Sequence, residues 1–171
     1  IRLGLLDILK VGVIGVPLII ACIIISILLV KYFCKFLDVP SKIGSLIAVG
    51  TSICGASAIV ATSPAINANK EEVTYAIANI TIFGIIAMFI YPFLGHYLFK
   101  GDELSIGLFL GTSIHETAQV AGAGLIYSEQ YSSQITMDIA TVTKLVRNIS
   151  MIVVIPSISY LYLKNNIDKK N

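Results

Sequence analysis

The chain alternates long apolar runs with short polar connections. No Asp, Glu, Lys or Arg falls between Lys10 and Lys31, between Lys42 and Lys70, or between Glu72 and Lys100. Each gap is long enough for the roughly 20 residues that carry an α-helix across a bilayer core of about 30 Å. Lipid offers no partner to exposed backbone groups, so helix is the default. A barrel would need strands of about 10 residues with alternating polarity, and the run VGVIGVPLIIACIIISILLV has no such alternation. The pattern therefore predicts an all-α integral membrane protein with five transmembrane segments: A at 11–30, B at 43–69, C at 74–99, D at 104–127 and E at 135–163. Short polar connections join them at Lys31 to Lys42, Asn69 to Val73, Lys100 to Glu103 and Tyr127 to Gln134. Residues 1–171 read as one membrane domain of a larger helical bundle. The chain opens on Ile1 and closes on the polar stretch Lys164 to Asn171, so further helices are expected at one or both ends.

The segments differ in kind. Segment A holds four Gly, Ala, Ser or Thr residues, whereas segment B holds fifteen. Large aliphatic side chains suit a lipid-facing helix, and small ones let backbones approach closely. Segment A is thus expected at the surface, including Ile20 and Leu28, and segment B inside. Segments B and D also share a phrase: Gly50-Thr51-Ser52-Ile53 recurs as Gly111-Thr112-Ser113-Ile114. Chance between two helices rich in small residues is one explanation. The other is a pair of broken or re-entrant helices, interrupted near Gly50–Gly55 and Gly111–Glu116 and facing a shared interior. Transporters build sites between such elements near the bilayer midplane. Pro64 marks a second place where segment B is expected to break.

Composition agrees with a membrane setting: 56% of residues are hydrophobic and 13% charged, against about 25% charged in soluble domains. The net charge of +2 gives no case for nucleic acid. Cys22, Cys34 and Cys54 are scattered, which suggests neither disulfides nor a metal site. Lys31, Lys35, Lys42, Lys100, Lys164, Lys169 and Lys170 fall on one side of a five-segment topology, and Arg2, Lys10 and Lys70 on the other. The excess places the A–B connection and the C-terminal tail in the cytoplasm.

Candidate chemistry is concentrated in segments D and E. His115 and Glu116 lie at membrane depth, where a charge costs about 2.5–3.5 kcal/mol on insertion scales and calls for a partner or a wet cavity. His115 and Gln119, four residues apart, would share one helix face. A polar pair that pins helix packing explains them as readily as a substrate, proton or ion site. The H-E-x-x-H zinc motif fails because its second histidine position is Gln119. In segment E, Thr141, Lys144, Arg147 and Asn148 form one polar arc. Cations snorkelling to the interface are the plain reading. However, no apolar run of about 20 residues follows Arg147 before Lys164, so a spanning segment E must bury a cation. Glu116 is the expected counter-charge. The candidate pathway residues are Ser52, Cys54, Ser57, His115, Glu116, Gln119, Lys144 and Arg147.

Four phrases resemble the YeiH-type bacterial inner-membrane proteins. They are Ile53-Cys54-Gly55-Ala56-Ser57-Ala58-Ile59; Ala76-Ile77-Ala78 through Tyr91-Pro92; Ile114-His115-Glu116-Thr117-Ala118-Gln119-Val120; and Thr143-Lys144-Leu145-Val146-Arg147. Thr117 stands where that family has Val, and Val146 where it has Thr. The phrases occur in the family's order over most of the chain, and family members are about twice as long. The resemblance implies a secondary transporter described as a sulfate exporter, distantly similar to the bile-acid/sodium symporters with their crossed broken helices and paired five-helix repeats.

The leading expectation is an alternating-access carrier of a small anion, sulfate or a sulfonate, across the inner membrane, with the lipid bilayer as its other partner. A proton- or sodium-coupled carrier using Glu116 is the runner-up. An intramembrane enzyme built on His115 and Glu116, or a non-transporting scaffold, completes the set. No P-loop is present, no cofactor or metal is indicated, enzymatic activity is not expected, and nothing in the sequence sets an oligomeric state.

Overall fold

A computed structural model describes residues 5–168, with side chains for residues 12–160 and for Tyr162. Arg2 and the lysines at 169 and 170, which entered the charge count, lie outside the described residues. Every regular element among the described residues is an α-helix: α1 Leu5–Phe36, α2 Ser41–Ser52, α3 Ala56–Thr62, α4 Lys70–Phe99, α5 Glu103–Ser113, α6 Thr117–Tyr131, α7 Gln134–Ile149 and α8 Met151–Asp168.

Segments A and C are the unbroken helices α1 and α4, whose stretches Gly12–Phe36 and Lys70–Phe99 are long and apolar enough to cross a membrane. Segment B divides into α2 and α3, and segment D into α5 and α6, at the two shared phrases. Pro64 does not make the first break. It follows the end of α3, in a turn closed by Ala68 N–H donating to Ser63 O at 3.0 Å.

Segment E is not one continuous helix. The α7 and α8 helices meet at 42°. At the junction the hydroxyl of Ser150 donates to the Arg147 carbonyl at 2.6 Å, and its N–H reaches the same oxygen at 3.1 Å. That carbonyl would otherwise accept from Met151, so a local side-chain bond competes with the helix ladder.

Capping residues set other boundaries. The α4 helix starts before its apolar run because Asn69 and Glu72 form a reciprocal capping box, with both bonds at 2.8 Å. Lys100 and Gly101, both at positive φ, end it. Asp102 then caps α5 through Ser105 N–H at 2.9 Å.

Helix α4 packs against both halves of both broken helices, while α7 lies along α5 and α6. Small residues permit the close approaches. A methyl group on Gly107 would meet Thr136 O at 3.0 Å, and one on Gly111 would meet Ala140 O at 2.6 Å. One core cluster joins Ile106, Leu110, Ile114, Val120, Tyr127 and Ala140, and a second joins Leu46, Ile59, Ile66, Ala76 and Ile80. The apolar exterior is equally informative. Ile20 is 53% and Leu28 62% exposed on α1, and Phe83, Phe89 and Ile90 are exposed on α4. Such a surface suits lipid and would be a liability in water.

Candidate functional site

The two breaks lie against each other. Gly55, at φ +72°, has no side chain, and a methyl group there would sit 3.5 Å from Cγ of Glu116 and 3.7 Å from the His115 carbonyl carbon. Each break leaves carbonyls at the end of a helix without an intrahelical partner. These helix ends also carry partial negative charge, so the location favours a cation.

Helix α7 supplies two. Its residues Ile139, Ala140, Thr143, Lys144 and Arg147 are buried at helical spacing, which aims both cations inward from one face. Lys144 Nζ donates to Ile53 O and to Ile114 O, each at 2.9 Å, and so ties the first break to the second. Arg147 Nε donates to Ser52 O at 3.0 Å, and Nη2 to Thr51 O at 2.7 Å. Its Nη1 donates to Thr112 O. Lys144 is 0% exposed and Arg147 2%, so neither cation snorkels to the interface.

The expected ion pair between Glu116 and these cations does not form. Among the described residues neither Lys144 nor Arg147 is salt-bridged to Glu116, and their hydrogen bonds run to backbone oxygen. The helix-end carbonyls take the place assigned to a carboxylate. Glu116 occupies the N-cap position of α6 without a side-chain capping bond, at a helix end whose dipole favours negative charge.

The other sequence candidates fall in different places. Ser52 is buried, with its hydroxyl donating to Val49 O at 3.1 Å and its carbonyl held by Arg147. Cys54 is buried, its thiol 3.5 Å from the Met151 sulfur. Ser57 is exposed on α3 and takes no part in the bridge. His115 and Gln119 do not share a helix face, because His115 lies in the break and only Gln119 is helical. Gln119 is buried and donates to Thr81 O at 3.2 Å, over the gap left by Gly84. In the polar arc, Thr141 bonds its own helix at Met137 O and Asn148 donates to Thr117 Oγ1 at 3.2 Å. Among the described residues, four buried polar atoms around the second break have no partner: His115 Nδ1, Gln119 Oε1, Thr143 Oγ1 and Asn148 Oδ1.

Sequence reasoning missed the carbonyls of Thr51, Ile53, Thr112 and Ile114. They act through the backbone and leave no residue-type signal. The available clue was the repeated phrase itself, which ends both helices at matching residues.

The described architecture is that of an all-helical membrane protein whose interior is organised around two broken helices. The chain belongs to the YeiH-like family described as conserved hypothetical protein 698, whose family model matches residues 1–171. A UPF0324 membrane protein of Streptococcus pneumoniae is 34% identical over 169 residues, covering 99% of this chain and 50% of that protein. One from Streptococcus agalactiae is 36% identical over 162 residues, 95% of this chain and 48% of the relative. One from Fusobacterium nucleatum is 36% identical over 151 residues, 88% and 43% respectively. The chain thus spans about half the length of these relatives. No solved structure matches it.

Proposed function

We propose that the protein is part of a secondary transporter that carries a small anion, sulfate or an organic sulfonate, across the bacterial inner membrane by alternating access, without chemistry on its cargo. The observation that carries this reading is the pair of broken helices tied at their breaks by Lys144, with Arg147 beside it. Broken helices expose backbone groups at depth where a solute can use them, and Arg keeps its charge throughout the accessible pH range. The N-terminus of α6, with its free N–H groups, adds a second preference for negative charge. The test is uptake of radiolabelled sulfate into vesicles containing the protein, under imposed proton and sodium gradients. Protein-dependent uptake is expected. No uptake of sulfate or any simple sulfonate under either gradient would sink the proposal.

A second reading is favoured by Glu116, which is half-buried beside Gly55 and makes no salt bridge to either cation. A carboxylate so placed is suited to taking up a coupling proton or sodium ion. Under this reading Glu116→Gln leaves the protein folded and removes the gradient dependence of uptake. Unchanged coupling in that variant would assign Glu116 a packing role.

A further inference from the structure

Beside the Arg147 guanidinium, α1 closes a cleft of about 240 Å³ against the ends of α2 and α5. Ile25 and Leu29 of α1 give the cleft a largely apolar wall, into which Cys22 and Ser26 of α1, Thr51 of α2, Thr112 and Ser113 of α5, His115 and Arg147 bring polar groups. This wall was unexpected, because the apolar run of α1 reads as lipid-facing. Cys22 and Ser26 are four residues apart and share one face of it.

The lining sets one full positive charge against the partial negative charge of the α2 and α5 helix ends. It contains Arg147, permanently cationic, and no carboxylate. Carbonyls engage three of the five guanidinium N–H groups. Among the described residues the other two have no carbonyl partner. The hydroxyls of Ser26 and Thr112 rest on carbonyls of their own helices, Ile23 O at 3.0 Å and Leu108 O at 2.7 Å. Ser113 does the same with Phe109 O. A hydroxyl rotates to suit its partner, so each can turn its hydrogen to an incoming oxygen while its old acceptor keeps the helix bond. The volume is several times the roughly 30 Å³ of one liquid water. It is large enough for a small, partly hydrated ion.

We infer that this cleft is the ligand site for a free tetrahedral oxyanion, with Arg147 as its charge anchor and the Cys22–Ser26 face of α1 as its closing wall. The inference rests on the anion-carrier reading above and deepens it by locating the site and assigning α1 a part in it.

The test uses Cys22 as a reporter in full-length protein carrying Cys34→Ala and Cys54→Ala, purified in detergent free of phospholipid so that no lipid headgroup competes. Labelling rates are measured with an anionic and with a cationic methanethiosulfonate reagent. The anionic reagent is expected to react faster. Sulfate at ten times its Kd should slow labelling about elevenfold, the factor 1 + [L]/Kd that a single site gives, while chloride at equal ionic strength should not. Ser26→Ala, which leaves the Arg147 bridge intact, should weaken this protection. Arg147→Gln should abolish it if the variant folds. Equal labelling in sulfate and chloride, faster reaction with the cationic reagent, or a Cys22 inert to both would each overturn the site. Sulfate uptake by the same protein in vesicles separates the two claims. Uptake without protection leaves the carrier and removes this cleft; protection without uptake leaves the site and removes the carrier.

Discussion

Gly50-Thr51-Ser52-Ile53 ends α2 and Gly111-Thr112-Ser113-Ile114 ends α5, yet the chain leaves the two helices by different routes. The first break closes on itself: Gly55 N–H donates back to Gly50 O at 2.9 Å, and Gly55 takes φ +72°, a region few side chains tolerate. The second break is extended. Ile114 lies at φ −86°, ψ 138° and Glu116 at φ −99°, ψ 142°, which any residue adopts. Among the described residues, the partnerless His115 Nδ1 belongs to the second break, and Gln119 Oε1 and Asn148 Oδ1 lie beside it. The same four residues thus begin a self-closed turn in one place and an open strand-like segment in the other. The open segment has fewer bonds of its own, which is the physical content of being the easier one to rearrange.

The largest test of this comparison removes what the two breaks share. Lys144→Met leaves Ile53 O and Ile114 O without a donor, in residues that are 0% exposed. Each orphaned acceptor costs roughly 1–3 kcal/mol, so a thermal melt of purified protein should show a large loss. An unchanged melting temperature would break the view that one cation holds both breaks.

The next tests sharpen the contrast between matched positions. A methyl group on Gly111 meets the Ala140 carbonyl at 2.6 Å, whereas one on Gly50 meets the side-chain ends of Ile80 and Ile59. Backbone does not yield and side-chain ends do, so Gly111→Ala should cost up to about 3 kcal/mol and Gly50→Ala clearly less. Equal losses in parallel melts would remove the distinction. Gly55 and Glu116 also occupy matched positions. Gly55→Ala should cost about 1–3 kcal/mol through its φ +72°, ψ −126° backbone, and Glu116→Ala should carry no backbone penalty. If both variants melt alike, backbone geometry is not what separates the breaks.

The smallest expected effect concerns the helix starts. Asp102 caps α5, and the bonds it accepts from the Ser105 hydroxyl and N–H hold its carboxyl below the ordinary 3.8. A lowered value means stabilisation that is complete above the unfolded pKa and lost as pH falls through the folded one. The start of α2, capped by Pro40, has no side-chain cap bond. Amide exchange in the first turn of α5 should therefore accelerate in acid below that range, with the first turn of α2 unaffected. At neutral pH, Asp102→Ala should cost about 1 kcal/mol.

Much of the architecture was legible because it depends on composition along the chain. Charge-free runs located α1 and α4, and the repeated Gly-Thr-Ser-Ile located both breaks. The burial of one cation, Lys144 or Arg147, was expected from the shortage of apolar residues after Arg147; the structure buries both. What answers those charges was not legible. A carboxylate is visible in a sequence, but a helix-end carbonyl belongs to every residue type, so Glu116 was the obvious partner to expect. The bend at Ser150 escaped notice because one serine in an apolar run more often continues a helix. The polar groups on α1 were hidden for a similar reason: two small residues among large aliphatics barely alter the character of the run, although their spacing puts them on one face.

The bridge through Lys144 also has a consequence for how the protein is made. A nascent chain emerges from its N-terminus at about 5–20 residues per second. Lys144 follows Ile114 by 30 residues and Ile53 by 91. Both broken helices are therefore synthesised seconds before the cation that joins them, and during that interval their open carbonyls must be met by water or by the insertion machinery. Arrival of α7 supplies the donor that joins the two broken helices.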